Sequence, residues 1–194
     1  PYSGTMLVDQ PYLESELCCC RLGIAPGTVG YANHDPRELL PRLRRHFERG
    51  WQVLTHAQGD RGVRETLDLY EEALDPSARA TDHRWRIEHA GLISAADVAR
   101  AARLGVALSF HVDHLRWYGA ELRDQILGPE RAARMMPLGT AVRAGHRISL
   151  HADSPMYPPG PLRLARTAAT RLTRGGEVLG ADEVVSVERA LRAV

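Results

Sequence analysis

No lysine occurs anywhere in these 194 residues; all 25 basic side chains are arginine. A Schiff-base lysine, a phosphate-loop lysine and a carbamylated lysine are therefore excluded from this stretch. Charge of one sign is never concentrated either. The arginines are interspersed with 24 acidic residues for a formal net charge of +1, and without a basic block no nucleic-acid partner is expected. No apolar run reaches the roughly 18 residues of a membrane span, and no charged-then-apolar export signal opens the chain. No membrane partner is expected, and the expected location is cytoplasmic unless an export signal was lost with a missing amino terminus. Cysteine is scarce, and Cys18, Cys19 and Cys20 are adjacent. That placement suits neither a disulfide framework nor the Cys-x-x-Cys spacing of a zinc site, so thiols in a reducing compartment are expected.

What is present is an apolar content of 44%, enough for one domain or part of a larger one, and an alternation of short strands with helices. Residues 1–36 are rich in Gly, Pro and Tyr, show no sustained period beyond the apolar piece at 5–8, and read as a connecting loop. Residues 36–49 follow a helical pattern through Leu39, Leu40, Leu43 and Phe47, with Asp35 as N-cap and Gly50 as terminator. A strand at 51–56 ends in His56. A helix at 61–74 places Val63, Leu67, Tyr70 and Leu74 on one face, with Asp60 as its cap. After a polar loop at 75–82, a strand at 84–89 ends in His89. A helix at 94–104 follows, capped by Ser94 and closed by Gly105, and a strand at 106–111 ends in His111. A loop at 111–120 carries His114, Trp117 and Tyr118, and helical stretches at 121–127 and 129–144 follow it. The last strand, 147–153, ends at Asp153, where Pro155 and the prolines behind it stop it. A helical segment at 187–194 closes the chain.

Four strands thus end at His56, His89, His111 and Asp153, 33, 22 and 42 residues apart. Their mean spacing of about 32 matches the roughly 31 residues per unit of an eight-fold barrel of about 250 residues. The expected fold class is α/β, a partial TIM (β/α)8 barrel, with parallel strands and right-handed crossovers. Every strand would then present its terminal polar residue on one carboxyl-end rim. Each residue alone has a plainer reading: a single histidine is commonly a satisfied polar residue, and an Asp before Ser-Pro is commonly a turn residue or cap. Three imidazoles and a carboxylate on one rim form instead a candidate site for zinc or another divalent metal. His151 shares the face of Asp153 one layer deeper, as an outer partner or interior filler. Arg84 and Arg86 read as solvent-facing or paired with Glu88.

Several segments resemble the amidohydrolase superfamily, in the branch that includes the N-substituted formamide deformylases. Thr55-His-Ala-Gln-Gly-Asp-Arg, Arg84-Trp-Arg-Ile-Glu-His-Ala and Ser149-Leu-His-Ala-Asp-Ser-Pro are similar to that family's fifth, sixth and eighth strand motifs. Supporting similarity lies at 7–12, 114–119, 126–132 and 158–162, so the resemblance spans essentially the whole chain. It implies metal ligation by His56, His89 and Asp153, with Asp153 also the general base. It further implies one or two divalent ions, zinc foremost, and a metal-bound water of pKa about 7 as nucleophile. The implied reaction is hydrolysis of a carbon–nitrogen bond in a small-molecule amide or formamide-like substrate. His111, His114 and Trp117 are candidates for the substrate pocket, with packing roles open for each, and Tyr118 for an apolar wall or lid anchor.

The family's first-strand His-x-His pair and fourth-strand ligand are absent from this sequence. Residues 1–194 therefore read as strands five to eight of the barrel, truncated at both ends, with 1–36 the loop after strand four. A half barrel leaves two strand edges unpaired. The chain is expected to bind metal weakly by itself, to have negligible activity, and to depend on the missing amino-terminal half or on association with copies of itself. Ester hydrolysis at the same centre is one alternative. A metal-free half barrel serving as a binding or assembly module is another.

Overall fold

The computed structural model describes residues 3–74 and 82–194. The polar loop expected at 75–82 lies, but for Asp82, outside the described residues. Four strands form one parallel sheet in chain order: β1 (Leu54–Ala57), β2 (Arg86–His89), β3 (Ala107–Phe110) and β4 (Ile148–Leu150). The fold is α/β, a partial TIM-like barrel, with helices between successive strands.

The helices form where local chemistry directs them. In α1 (Pro36–Glu48), the Asp35 carboxylate accepts from the Arg37 amide at 2.8 Å, and Pro36 occupies the first turn, where no amide donor is needed. In α3 (Ala95–Leu104), Ser94 accepts from the Asp97 amide at 3.0 Å, and Gly105 closes the helix at φ 69°. Between them, α2 (Asp60–Ala73) buries Val63, Leu67 and Tyr70, and the Tyr70 ring meets Trp85 edge-on with centroids 4.8 Å apart. Its cap differs from expectation. Gly59 is the N-cap and Asp60 the first helical residue, its carboxylate accepting instead from the amides of Asp9 and Arg61.

The segment expected as a loop at 111–120 is largely helical. It forms α4 (Asp113–Glu121), which runs into a π-helical turn, Leu122–Ile126. Leu115, Leu122 and Ile126 are all buried, so an apolar face that the intervening His, Trp and Tyr obscure drives the helix. The helix expected at 129–144 is two: α5 (Pro129–Ala133) and α6 (Leu138–Arg143). They part where Pro137 lacks a donor and Met136 adopts φ 49°. A further helix, α7 (Pro161–Thr170), rises from the proline-rich stretch that reads only as a strand stop, with Pro161 in its first turn. The last is α8 (Val187–Arg192), capped by Ser186.

Two features bear on the strand edges. The Leu150 amide donates to the Ala193 carbonyl at 2.7 Å, so chain beyond α8 covers part of the β4 edge that a half barrel was expected to leave bare. Beside β1, the segment before α1 straps across the rim. The Leu7 carbonyl accepts from the Gly62 amide, and Arg131 donates to the carbonyls of Gln10 and Pro11, both at 2.7 Å. Met6, Val8, Tyr12, Cys18 and Ile24 of this segment are buried. The three cysteines are free, Cys18 buried and Cys20 exposed. Among the described residues no helix is long and apolar enough to cross a membrane.

Candidate metal centre

The sheet register builds the site. His56 lies level with Glu88, and Ala57 with His89; Phe110 lies level with His89 and with Leu150. His111 and His151 follow one step beyond, joined where the His151 amide donates to the Phe110 carbonyl at 3.1 Å. Strict alternation from Ile87 would turn His89 toward the helices. Its φ of 74° breaks that alternation, and the ring meets His56 at 4.2 Å, His151 at 4.8 Å and His111 at 5.5 Å between centroids. Asp153 is also left-handed, at φ 53°. Left-handed backbone at non-glycine residues is costly and concentrates at functional sites.

His56, His89, His111, His151 and Asp153 lie at or beyond the carboxyl ends of the strands, in unequal relation. Among the described residues, the set of donors lying within 4.8 Å of one another is His89, His111 and Asp153. His89 ends β2, His111 directly follows β3, and Asp153 lies in the turn beyond β4. His56 is not in that set, and its ring meets His89 at 4.2 Å between centroids. His114, on α4, lies beside His111 with ring centroids 4.0 Å apart. His151 stacks on His111 at 5.1 Å and 27°, and its Nε2 is 4.0 Å from Oε2 of Glu88, whose other oxygen accepts from Arg86. Among the described residues, Trp117 reaches the centre through an intermediary that sequence reasoning missed. Buried Tyr157 lies parallel to the Trp117 ring at 6.4 Å and meets His111 at 5.3 Å. Its signal was its position, an aromatic residue among the prolines directly after Asp153. A cleft of about 940 Å³ beside β1 opens on His56, His114 and Met156.

Burial governs the electrostatics. It pushes His89 and His111 down to about 3, and mutual repulsion among the imidazoles adds to the effect. His114 is depressed further by burial and by His111. Burial also lowers His56 and His151, opposed by nearby carboxylates. All five rings are thus neutral at pH 7, the protonation state that ligates metal. Nδ1 of His89, both ring nitrogens of His111 and Nε2 of His151 are buried without a hydrogen-bond partner among the described residues. Each such atom costs about 1–3 kcal/mol if left unsatisfied. Two imidazoles and a carboxylate are a donor set that fits zinc and related divalent ions.

The whole chain, residues 1–194, matches the model of the amidohydrolase family. The chain belongs to the amidohydrolase family. This amidohydrolase chain is 31% identical over 148 residues to Protein LONG AFTER FAR-RED 3 of Arabidopsis thaliana, a match covering 76% of the chain and 25% of that protein. It is 28% identical over 166 residues to an N-substituted formamide deformylase of Arthrobacter pascens, covering 86% and 30%. Its fold is similar to that of an uncharacterized metal-dependent hydrolase from Pyrococcus furiosus, with a TM-score of 0.76 at 26% identity, covering 98% of this chain and 35% of that one. A metal-dependent hydrolase from Pyrococcus horikoshii OT3 superposes with a TM-score of 0.77 at 24% identity, covering 98% and 36%. The amidohydrolase chain described here thus spans about a third, or less, of the length of each relative.

Proposed function

We propose that this chain carries the second half of the active site of a metal-dependent hydrolase acting on a carbon–nitrogen bond of a small amide or formamide-like substrate. The observation that supports this reading is the convergence of neutral, buried imidazoles and Asp153 on the carboxyl-end rim of a parallel sheet, in a chain of the amidohydrolase family. His56, His89 and Asp153 hold a divalent ion, zinc foremost. When bound, the ion supplies a water acidic enough to lose its proton near neutral pH.

Asp153, exposed in the turn beyond β4, takes a proton from the attacking water and delivers it to the leaving nitrogen. His114 and Trp117 bound the substrate side, while His151 stacks on His111. In this reading residues 1–194 are strands five to eight, residues 1–36 follow strand four, and the remaining ligands come from the length that this chain does not share with its relatives. The 194 residues alone have negligible turnover.

The test uses the full-length protein: metal analysis, then hydrolysis of N-formyl amines against matched esters, with and without a chelator. Release of formate from the amides, abolished by chelation and restored by Zn²⁺, is the expected result. Faster cleavage of the esters would redirect the reading to ester hydrolysis. Absence of a bound divalent ion, with thermal stability unchanged by chelator, would replace it with a metal-free binding or assembly module.

A further inference from the structure

We infer that His111 is a metal ligand rather than a wall of the substrate pocket, and that His89, His111 and Asp153 form a three-donor divalent-ion site contained within this chain. The inference deepens the hydrolase reading and rests on it for the presence of an ion. It adds a ligand from the strand between those that carry His89 and Asp153.

Three observations converge on it. The donor atoms of His89, His111 and Asp153 lie within 4.8 Å of one another. With metal–ligand bonds of about 2.0–2.1 Å, a tetrahedral ion sets its donors roughly 3.3 Å apart. Closing the difference takes rotation of the exposed Asp153 carboxylate and small turns of the rings. Second, His111 is completely buried, and neither ring nitrogen has a hydrogen-bond partner among the described residues. A neutral imidazole carries one donor and one acceptor nitrogen, and a buried ring with neither engaged is the expected state of a ligand seen without its ion. Third, the backbone presents the flanking donors in left-handed conformations, φ 74° at His89 and 53° at Asp153. Both conformations cost the chain energy, and such costs concentrate at functional sites.

His56 differs on each count. It is exposed on the cleft and lies outside the compact set. Its ring meets His89 at 4.2 Å between centroids, so it serves as a fourth donor or completes a second ion with ligands from elsewhere.

The test is titration of the metal-free full-length protein with Co²⁺, read by its ligand-field absorption. Wild type is expected to take up the ion with the strong visible bands of a four- or five-coordinate site. His111→Gln keeps a polar side chain; it is expected to lower Co²⁺ affinity at least tenfold and to change the bands, while His46→Gln on α1 changes neither. Bands unchanged in His111→Gln, whatever its affinity, would overturn the assignment.

Wild-type protein carrying nitrogen-15 histidine, titrated with Cd²⁺ enriched in a spin-½ isotope, gives a second readout that does not depend on the variant folding. Direct ligation splits a His111 imidazole nitrogen resonance through coupling to the cadmium nucleus, and an unsplit resonance at saturation would again refute it. If wild type takes up neither ion, the hydrolase reading fails with the inference. If it takes up both and His111 responds to neither, only the inference fails.

Discussion

Arg163 on α7 donates from Nη2 to Oδ2 of Asp113 at 2.8 Å, and the Asp113 side chain is completely buried at the start of α4. The same Nη2 donates to the Pro158 carbonyl at 2.6 Å. One guanidinium thus ties the loop after Asp153 to the helix that follows His111. Arg163→Ala would strand a buried carboxylate. Because the arginine is 27% exposed, the expected loss is below the range for fully buried pairs, about 2–3 kcal/mol. That corresponds to a fall in Tm of roughly 4–12 °C for a domain of this size. Thermal unfolding of Arg163→Ala, Asp113→Asn and the double variant checks it, with the double variant expected to recover part of the loss.

His89 and His111 make stability depend on pH. Unfolded, both imidazoles take up protons near the ordinary 6.5; folded, they resist until about 3. Between those values the unfolded state binds more protons, so stability is full above 6.5 and falls as pH drops through the window. Denaturation midpoints of the metal-free protein at about pH 7.5 and about pH 5 measure this, the lower pH giving the lower midpoint. Equal midpoints would mean that the two rings are already protonated or solvated in the fold.

Arg171 is fully buried at the end of α7 and donates to the carbonyls of Leu179, Met136 and Met135 at 2.6, 3.0 and 2.7 Å. Burial lowers its pKa to about 10, still high enough to keep it charged. Arg171→Met fills similar space but leaves three carbonyls unpaired, and the expected cost is about 3 kcal/mol or more. Urea denaturation should show a lower midpoint with an unchanged slope.

Gly59 is needed for room rather than for its backbone angle, since its φ is −79°. A Cβ there would lie 1.8 Å from the Leu7 carbonyl oxygen, so Gly59→Ala must push the strap at residues 5–12 off the β1 rim. A loss of about 2 kcal/mol is expected, together with faster amide exchange at Gly62, whose N–H bonds the Leu7 carbonyl. Exchange at Gly62 as slow as in wild type would argue that the strap yields elsewhere.

Much of the fold was legible because its signals are local. Asp35, Ser94 and Gly105 cap and close the helices assigned to them, and the strands fall where short apolar runs meet His56, His89 and His111. What was hidden depended on distant partners. The helix at 113–121 reads as loop because His114, Trp117 and Tyr118 mask a face that becomes apolar only when Leu115 and Leu122 are packed. Tyr157 carries no periodic signal, and its burial against His111 and Trp117 follows from how the loop after β4 folds back. Asp60 has the chemistry of a cap, yet the strap draws its carboxylate to the Asp9 amide.

The sequence by itself determined a parallel strand–helix alternation and a rim bearing histidines and an aspartate, because periods of 2 and 3.6, caps and breakers act between near neighbours. Which of those groups meet was decided only in three dimensions. The register sets His56 level with Glu88, and left-handed backbone at His89 and Asp153 turns them toward His111. Such neighbours belong to different strands, and no spacing along one chain encodes the distance between them.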